Sequence, residues 1–335
     1  MDKTVLGNVT IEVSNNGQDF SADGVEYAPT SLRMSASSIR VSPSSGPTNG
    51  GTIVTFSGNR WEPTGAVECA FSGGIVVEGV HRGEREILCT TPRRRLEGVA
   101  SIALLLDGEH ASQGSELAFE YEAPVVVSGI VPSAGAVEGS TMVQVLGSGF
   151  KAGSGLGCMF ALSGEGGGGS ERVMTEGRLE TSSRMVCEAP RAGSEQTVSV
   201  EVSNNGADLT SSGVQFVYER APTVTGVELV VHQEADGVDR RVLRVTGKHF
   251  VESRELRCSV GSETRYVSTS LVHCRLDPLA YAGNLTVEVS NNGQDFSADG
   301  ISHVVSGAGS WRLLSLQPSS GPLHGGTMVM ISGGQ

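Results

Sequence analysis

The eleven-residue string SNNGQDFSADG stands at positions 14–24 and again, letter for letter, at positions 290–300 of this 335-residue chain. A third version, SNNGADLTSSG, occupies positions 203–213. Copies this similar indicate an array of one structural unit. Because the first copy stands so early, we expect the chain to be a segment of a longer repetitive protein.

Three blocks recur in a fixed order. The first begins with Pro-Ser-x-Gly and leads into a valine-rich strand; its copies lie at 43–58, 132–147 and 318–333, and we call the first ten residues of each copy the opener. The second is a pair of cysteines, the later one close to a proline. The third is an alternating strand followed by Asn-Gly and a closing aromatic strand.

The alternating strand is the clearest local signal. Its apolar positions, separated by polar ones, are Val9, Ile11 and Val13 in one copy, Val198, Val200 and Val202 in the next, and Leu285, Val287 and Val289 in the last. This period of two predicts a half-buried strand. The Asn-Gly pair after it predicts a tight hairpin turn, because glycine readily adopts the positive φ that such turns need.

Repeats of roughly 90 residues with about seven short strands predict an all-β fold of tandem immunoglobulin-like β-sandwiches. The short Ala-Pro linkers at 123–124 and 221–222 predict semi-rigid joints and a rod-like array. The predicted boundaries are the C-terminal part of one module at 1–30, complete modules at 35–123, 124–221 and 222–308, and the N-terminal part of another at 310–335.

Composition excludes several functional classes. A net charge of −13 disfavours nucleic acid and anionic membranes as partners, and no stretch is long and apolar enough to insert into a membrane. No nucleophile, metalloprotease or nucleotide-binding motif occurs, so we expect neither enzymatic activity nor a cofactor. The glycine-rich segment 164–170 lacks the Gly-Lys-Ser/Thr of a phosphate-binding loop and is interpreted as a flexible loop.

The order of opener, cysteine, Cys-x-x-Pro, Val-x-Val strand with Asn-Gly, and Phe-x-Tyr resembles the IPT/TIG family of immunoglobulin-like domains. These domains occur in plexins, in growth-factor receptors and in large surface proteins of bacteria, algae and other protists. The resemblance covers essentially the whole chain. It is weakest at 222–308, where VTGVEL at 224–229 replaces the Pro-Ser-x-Gly signature. The family implies a binding or spacing role without catalysis.

The six cysteines fall two to each complete module: Cys69 and Cys89, Cys158 and Cys187, Cys258 and Cys274. The repeat favours pairing within modules, and the resemblance implies disulfides between neighbouring strands. Buried free thiols and zinc are the alternatives, although the histidines lack ligand spacing. Disulfides would place the chain in an oxidising compartment, secreted or at the cell surface.

Four further features invite functional interpretation. Sequons at Asn8 and Asn284 share one module position and predict N-glycosylation. The carboxylates of Asp19, Asp23, Asp295 and Asp299 could bind calcium, but a solvated turn is the preferred interpretation. The basic run PRRR at 92–95 is interpreted as an exposed loop, with contact to an acidic partner, contact to a neighbouring module, or a protease site as alternatives. Trp61 and Trp311 are expected at module junctions, with sugar stacking by Trp61 as the alternative.

These observations predict a non-enzymatic extracellular array that is structural or adhesive, such as a surface filament or flagellar hair. The alternative is the ectodomain of an adhesion receptor or a carbohydrate-binding surface protein. Expected partners are other copies of the chain, neighbouring modules, glycans or other surface proteins. We also expect neighbouring sequence, in the same or another polypeptide, to complete the strands of 1–30 and 310–335.

Overall fold

The computed structural model describes residues 9–27, 34–35, 39–58, 66–113, 117–163, 170–233, 239–276, 283–305, 312–321 and 327–334. These residues form strands and connecting loops, which confirms the all-β class. Throughout these ranges there is no helix, and hence none long and apolar enough to span a membrane. The first strands, β1 (Val9–Ile11) and β2 (Val25–Tyr27), pair antiparallel, and β3 (Met34–Ser35) follows them.

Residues 39–122 form a two-layered sandwich. Its strands are β4 (Arg40–Ser42), β5 (Ser45–Pro47), β6 (Ile53–Ser57), β7 (Val67–Phe71), β8 (Ile75–His81), β9 (Glu86–Thr90), β10 (Gly98–Leu106), β11 (Glu109–His110) and β13 (Leu117–Glu122). Strand β12 (Ser112–Gln113) pairs with β3 instead. The hydrogen-bonded order is β4-β6-β9-β8-β7-β10-β13-β5. Side chains that alternate inward from both layers form one core, which includes Val54, Phe56, Ile87, Leu104 and Phe119.

Strand β8 belongs to both layers of this sandwich. Its first half pairs with β7 and its second half, from Gly79 onward, pairs with β9. A Cβ atom at Gly79 would lie 2.8 Å from Cγ1 of Val67 and 3.1 Å from Sγ of Cys89. Glycine therefore allows the strand to pass from one layer to the other without displacing core side chains.

Residues 126–219 repeat this topology. The strands are β14 (Val126–Val131), β15 (Ala134–Ala136), β16 (Met142–Ser148), β17 (Gly157–Ser163), β18 (Ser170–Thr181), β19 (Arg184–Glu188), β20 (Gln196–Ser203) and β21 (Gln215–Glu219). Their order, β14-β16-β19-β18-β17-β20-β21-β15, matches that of the preceding sandwich position by position. Blocks that recur in the sequence therefore occupy equivalent places in the fold.

The remaining strands begin with a long antiparallel pair whose register shifts once, between Val224 and Gly226. They are β22 (Thr223–Gln233), β23 (Asp239–Lys248), β24 (Arg257–Cys258), β25 (Glu263–Ser268), β26 (Leu271–Arg275), β27 (Gly283–Thr286), β28 (Val289–Ser290), β29 (Ser302–Val305), β30 (Arg312–Gln317) and β31 (Met330–Gly334). A separate core around Leu243, Phe250 and Val272 holds residues 224–305 together.

Three disulfides join the cysteines in chain order: Cys69 to Cys89, Cys158 to Cys187 and Cys258 to Cys274. The expectation that each disulfide joins two neighbouring strands is wrong. In the first two pairs, β8 or β18 runs between the strands that carry the cysteines, and in the third, β24 pairs with β28 rather than β26. The bonds can cross the sandwich because the paired Cα atoms lie only 6.1 to 6.4 Å apart.

The chain divides into two compact units. One comprises residues 1–126 together with two short segments from further along the chain, 151–156 and 203–210. The other comprises 127–150, 157–202 and 211–335. The division does not follow the predicted module boundaries, because segment 203–210 packs on the opener of the preceding repeat.

Candidate functional site

The three SNNG segments form loops that we call docking loops: residues 14–24, 203–213 and 290–300. In each the first glycine has positive φ, 75° to 77°, as the Asn-Gly pair predicts. The prediction of a tight two-residue hairpin is wrong, however. Strand β1 pairs with β2 only beyond the loop, with Ile11 opposite Val25, and β20 pairs with β21 with Ser199 opposite Gln215. The chain between them is organised by side chains instead.

One asparagine organises each docking loop. In loop 203–213, Oδ1 of Asn205 accepts hydrogen bonds from the amides of Ala207 at 3.0 Å and Asp208 at 2.9 Å, and from the hydroxyl of Ser203 at 3.0 Å. This is the arrangement of an Asx turn. Nδ2 of Asn205 then donates to Oδ2 of Asp208 at 2.7 Å. The loop therefore presents an amide and a carboxylate in a fixed relation.

Loop 203–213 binds the opener at 43–52. Nδ2 of Asn205 donates to the carbonyl of Ser45 at 2.7 Å, and the hydroxyl of Thr52 donates to Oδ2 of Asp208 at 2.7 Å. The Thr52 side chain is fully buried, where a hydroxyl without a partner would be costly. The bond to a carboxylate is charge-assisted and hence stronger than one between neutral groups.

Loop 290–300 binds the opener at 132–141 in the same way. Nδ2 of Asn292 donates to the carbonyl of Ala134 at 3.1 Å and to Oδ2 of Asp295 at 2.6 Å. The hydroxyl of the buried Thr141 donates to the same carboxylate oxygen at 2.6 Å. This junction has one addition: the Gln294 side chain donates to the Met142 carbonyl at 3.0 Å and accepts from its amide at 3.2 Å.

The opener is shaped around its threonine. A Cβ atom at Gly46 or Gly135 would overlap the hydroxyl of Thr52 or Thr141, respectively, so only glycine leaves room for that hydroxyl. Gly321 has the same relation to Thr327, where the distance would be 2.5 Å. Each opener also begins with a cis X–Pro peptide bond, at Pro43, Pro132 and Pro318.

In loops 203–213 and 290–300, a glutamate at the end of the alternating strand holds the second half of the docking loop. The buried Glu201 carboxylate accepts from the amide of Ser212 at 2.8 Å and from the amide of Gly213 at 3.1 Å. Glu288 accepts from the Gly300 amide at 3.0 Å and from the Ser297 hydroxyl. The sequence places these glutamates on the polar face of a strand, which gives no indication of this role.

Ion pairs support the junction between loop 203–213 and the opener at 43–52. Nζ of Lys151 lies 2.9 Å from Glu120 and 3.5 Å from the largely buried Glu122. The hydrogen bond to Glu120 raises the pKa of Lys151. Glu122 also accepts from Nδ2 of Asn204 at 3.3 Å. These charges are partly exposed, so their contribution to stability is small, and the buried Thr–Asp–Asn contacts carry more of the specificity.

The structure settles the interpretation of two predicted features. Asp295 is not in a solvated turn, because its carboxylate receives hydrogen bonds from Thr141 and Asn292. The basic run at 92–95 is not simply an exposed loop: the Arg94 guanidinium lies 5.5 Å from the centre of the Tyr121 ring and donates to the Gly98 carbonyl. Across the described part of the chain, no group of three or more His, Cys, Asp or Glu side chains could hold a metal ion.

Several other candidates fall elsewhere. Asn284 is exposed on β27, where it lies opposite Val304 of β29. Asn8, Trp61, Trp311 and the segment 164–169 lie outside the described residues.

The repeated geometry agrees with a comparison of the sequence to protein families. The family model of the IPT/TIG domain matches residues 37–121 and 124–218, more than half of the chain. The chain belongs to the IPT/TIG domain family. Its two matched IPT/TIG domains are the two sandwiches that share one strand order.

Fibrocystin-L of Homo sapiens is 26% identical over 306 residues, which cover 88% of this chain and 7% of that protein. The plexin A4 extracellular region is 17% identical, with a TM-score of 0.37, over 77% of this chain and 22% of that one. The Escherichia coli adhesin FdeC is 15% identical, with a TM-score of 0.26, over 81% of this chain and 96% of that one. The IPT/TIG chain thus spans a small part of the first two proteins.

Proposed function

We propose that this IPT/TIG chain is a non-enzymatic segment of an extracellular structural and adhesive array, of the kind that builds a surface filament. The observation that carries the proposal is the recurrence of one side-chain-specific junction, made by Asp208 with Thr52 and again by Asp295 with Thr141. A repeated junction of this kind resists bending between repeats. The recurring polar side chains act in these contacts, so we assign them no catalytic role.

Covalent structure supports an extracellular location. The disulfides Cys69–Cys89 and Cys158–Cys187 are buried in sandwich cores, and bonds of this kind persist in oxidising compartments. The boundaries that we propose for the array remain 1–30, 35–123, 124–221, 222–308 and 310–335.

We further propose that Asn284 carries an N-linked glycan. Its side chain is exposed on β27. Among the described strands only β29 pairs with β27, so the other edge of β27 is open. A glycan there would block unwanted pairing of another strand with the open edge. We extend the same proposal to Asn8, which precedes the first alternating strand. Treatment with an N-glycosidase should lower the apparent mass, and Asn284→Gln should remove one glycan.

Immunogold electron microscopy with antibodies to the purified chain tests the function. A structural array predicts gold particles along filaments or a surface coat, at regular spacing. Diffuse intracellular labelling would contradict the proposal.

The second candidate function is recognition of glycans or of another surface protein, as in an adhesion receptor. The extracellular setting that the disulfides favour supports it equally. A glycan array probed with the folded chain distinguishes the two: saturable binding to a defined sugar favours recognition, whereas labelled filaments without glycan binding favour the structural role.

A further inference from the structure

The two matched sandwiches have a strand for which residues 223–305 show no counterpart. In each of them the opener contributes a short strand, β5 or β15, that runs parallel to β13 or β21. The amides of Glu120 and Val217, on β13 and β21, each donate a 2.9 Å hydrogen bond to the carbonyl of an opener serine. Residues 223–305 have no Pro-Ser-x-Gly opener, and β22 instead continues along β23. Among their described residues, no strand runs parallel to β29.

One edge of β29 is therefore open. Val304 on β29 corresponds to Val217 on β21, because each lies four residues after the last glycine of its docking loop. No described residue accepts a hydrogen bond from the Val304 amide, and the Val304 side chain is 68% exposed. An open strand edge of this kind can bind an extended peptide through backbone hydrogen bonds.

Two side chains beside this edge differ from their counterparts. In the sandwich before, a Cβ atom on Gly135 would overlap the Thr141 hydroxyl and would lie 2.7 Å from Cζ of Phe216. Arg241 occupies the position of Thr141, because the carbonyl of each accepts a hydrogen bond from the amide two residues after the second cysteine of its sandwich. His303 occupies the position of Phe216, opposite the first apolar residue of the alternating strand. The two side chains that bracket the opener glycine are thus replaced by basic ones.

This replacement changes what the gap between β29 and the β22–β23 pair, which we call the seam, can accept. Arg241 and His303 are both half-buried, and no described residue forms a hydrogen bond or an ion pair with either side chain. A carboxylate would satisfy both, since hydrogen bonds from a guanidinium to a carboxylate are charge-assisted. Val231, which lies opposite Arg241 on β22, is 56% exposed and offers an apolar contact beside them.

We propose that the seam binds an extended, acidic peptide segment of a partner protein. The segment adds as a strand parallel to β29 and accepts a hydrogen bond from the Val304 amide. Its glutamate or aspartate side chain lies in the place of the opener glycine, between Arg241 and His303. The inference goes beyond the structural function and does not depend on it, because it assigns a recognition role to residues 223–305.

Two synthetic peptides test this recognition on the intact chain. One copies residues 131–139, which include the strand β15, and the other is the same peptide with Gly135→Glu. In fluorescence anisotropy the Gly135→Glu peptide should bind about 10- to 100-fold more tightly than its parent, as expected for the gain of a charge-assisted hydrogen bond. Its binding should weaken as the salt concentration rises, and it should slow hydrogen exchange of the β29 amides.

Three variants of the chain locate the site. Arg241→Gln should weaken binding of the Gly135→Glu peptide to the level of its parent. Val304→Pro removes the edge amide, which an edge strand tolerates, and should abolish binding of both peptides. Arg244→Gln removes a positive charge from an exposed position of the same strand β23 and should bind like the wild type. Circular dichroism confirms that all three variants are folded.

Equal affinities for the two peptides would overturn the inference, as would tight binding that survives Arg241→Gln or Val304→Pro. Tighter binding of the parent peptide would place an opener strand in the seam and would equally overturn recognition of an acidic segment. Labelling of filaments by immunogold is independent of these results, so failure of this inference and failure of the proposed function are distinguishable.

Discussion

Replacement of Thr141 by valine tests whether the Thr–Asp contact holds consecutive repeats together. The change removes one hydroxyl from a fully buried side chain and leaves its volume almost unchanged, so no cavity forms. The lost bond to Asp295 measures 2.6 Å. Hydrogen bonds to charged groups contribute about 1.5 to 3 kcal/mol. Since Asp295 is only half-buried, we expect the free energy needed to open the junction between loop 290–300 and the opener at 132–141 to fall by about 2 kcal/mol.

Native-state hydrogen exchange measures this free energy locally. The amide of Met142, which donates to Gln294 across the junction, and the amides of loop 290–300 should exchange about 30-fold faster in Thr141→Val. Asp295→Asn should accelerate exchange at least as much, because the carboxylate also accepts from Asn292, and the double variant should add little to Asp295→Asn, because both changes act on the Thr141–Asp295 bond.

Two comparisons within the chain provide controls. Thr197→Val alters an exposed threonine on β20 of the same sandwich and should leave exchange in loop 290–300 unchanged. Loop 203–213 should also be unaffected by Thr141→Val, since it binds the other opener. Exchange in loop 290–300 within a factor of two of the wild type would refute the reasoning, as would equal acceleration in both loops.

Three further changes test the sandwiches themselves. Tyr218→Phe removes the 2.8 Å hydrogen bond that the phenolic hydroxyl donates to the Pro190 carbonyl, and should lower the free energy of unfolding by about 1 kcal/mol. Calorimetry should show a lower melting temperature for one transition, and an unchanged melting temperature would contradict this prediction. Replacing Cys158 and Cys187 by alanine removes a disulfide between residues with a sequence separation of 29, and should lower the free energy of unfolding by about 3 to 4 kcal/mol. Urea denaturation measures this change, and a midpoint equal to that of the wild type would show that the disulfide does not stabilise the fold. Burial raises the pKa of Glu219, and the negative charge of Glu195 adds a smaller effect in the same direction. The folded protein therefore loses stability as the pH rises from the ordinary pKa of a glutamate through the raised one. Glu219→Gln should increase the melting temperature at pH 7 but not at pH 3, and an equal increase at both pH values would exclude this cause.

The sequence predicted the parts of the fold that depend on local periodicity. Val198, Val200 and Val202 are all buried, as the alternating pattern requires, and the glycine after each Asn-Asn pair has positive φ. The same pattern is wrong for Ile11 and Val13, which are 50% and 68% exposed, because no described core packs against them. Periodicity identifies an apolar face but not what covers it.

The candidate site was not predicted because its two halves lie far apart in the chain. Asp208 and Thr52 are 156 residues apart, and each belongs to a segment that local rules interpret as a turn or a strand entry. A signal was nevertheless present, since asparagine and aspartate recur at fixed positions in all three loops and threonine ends all three openers. Alignment of the repeats alone would have selected these residues, although not their pairing.

Residues 124–221 contain both an opener and a docking loop, and the two bind different neighbours. Exact deletion of these residues would bring loop 290–300 opposite the opener at 43–52, with Asp295 facing Thr52 and Asn292 facing the Ser45 carbonyl. The threonine and asparagine donors would again meet acceptors, although the deletion would also remove Lys151 and its ion pairs with Glu120 and Glu122. Unequal recombination in the gene can therefore lengthen or shorten the array by whole repeats of this kind while keeping the Thr–Asp and Asn–carbonyl contacts, and near-identical loops are the sequence pattern that such a history leaves.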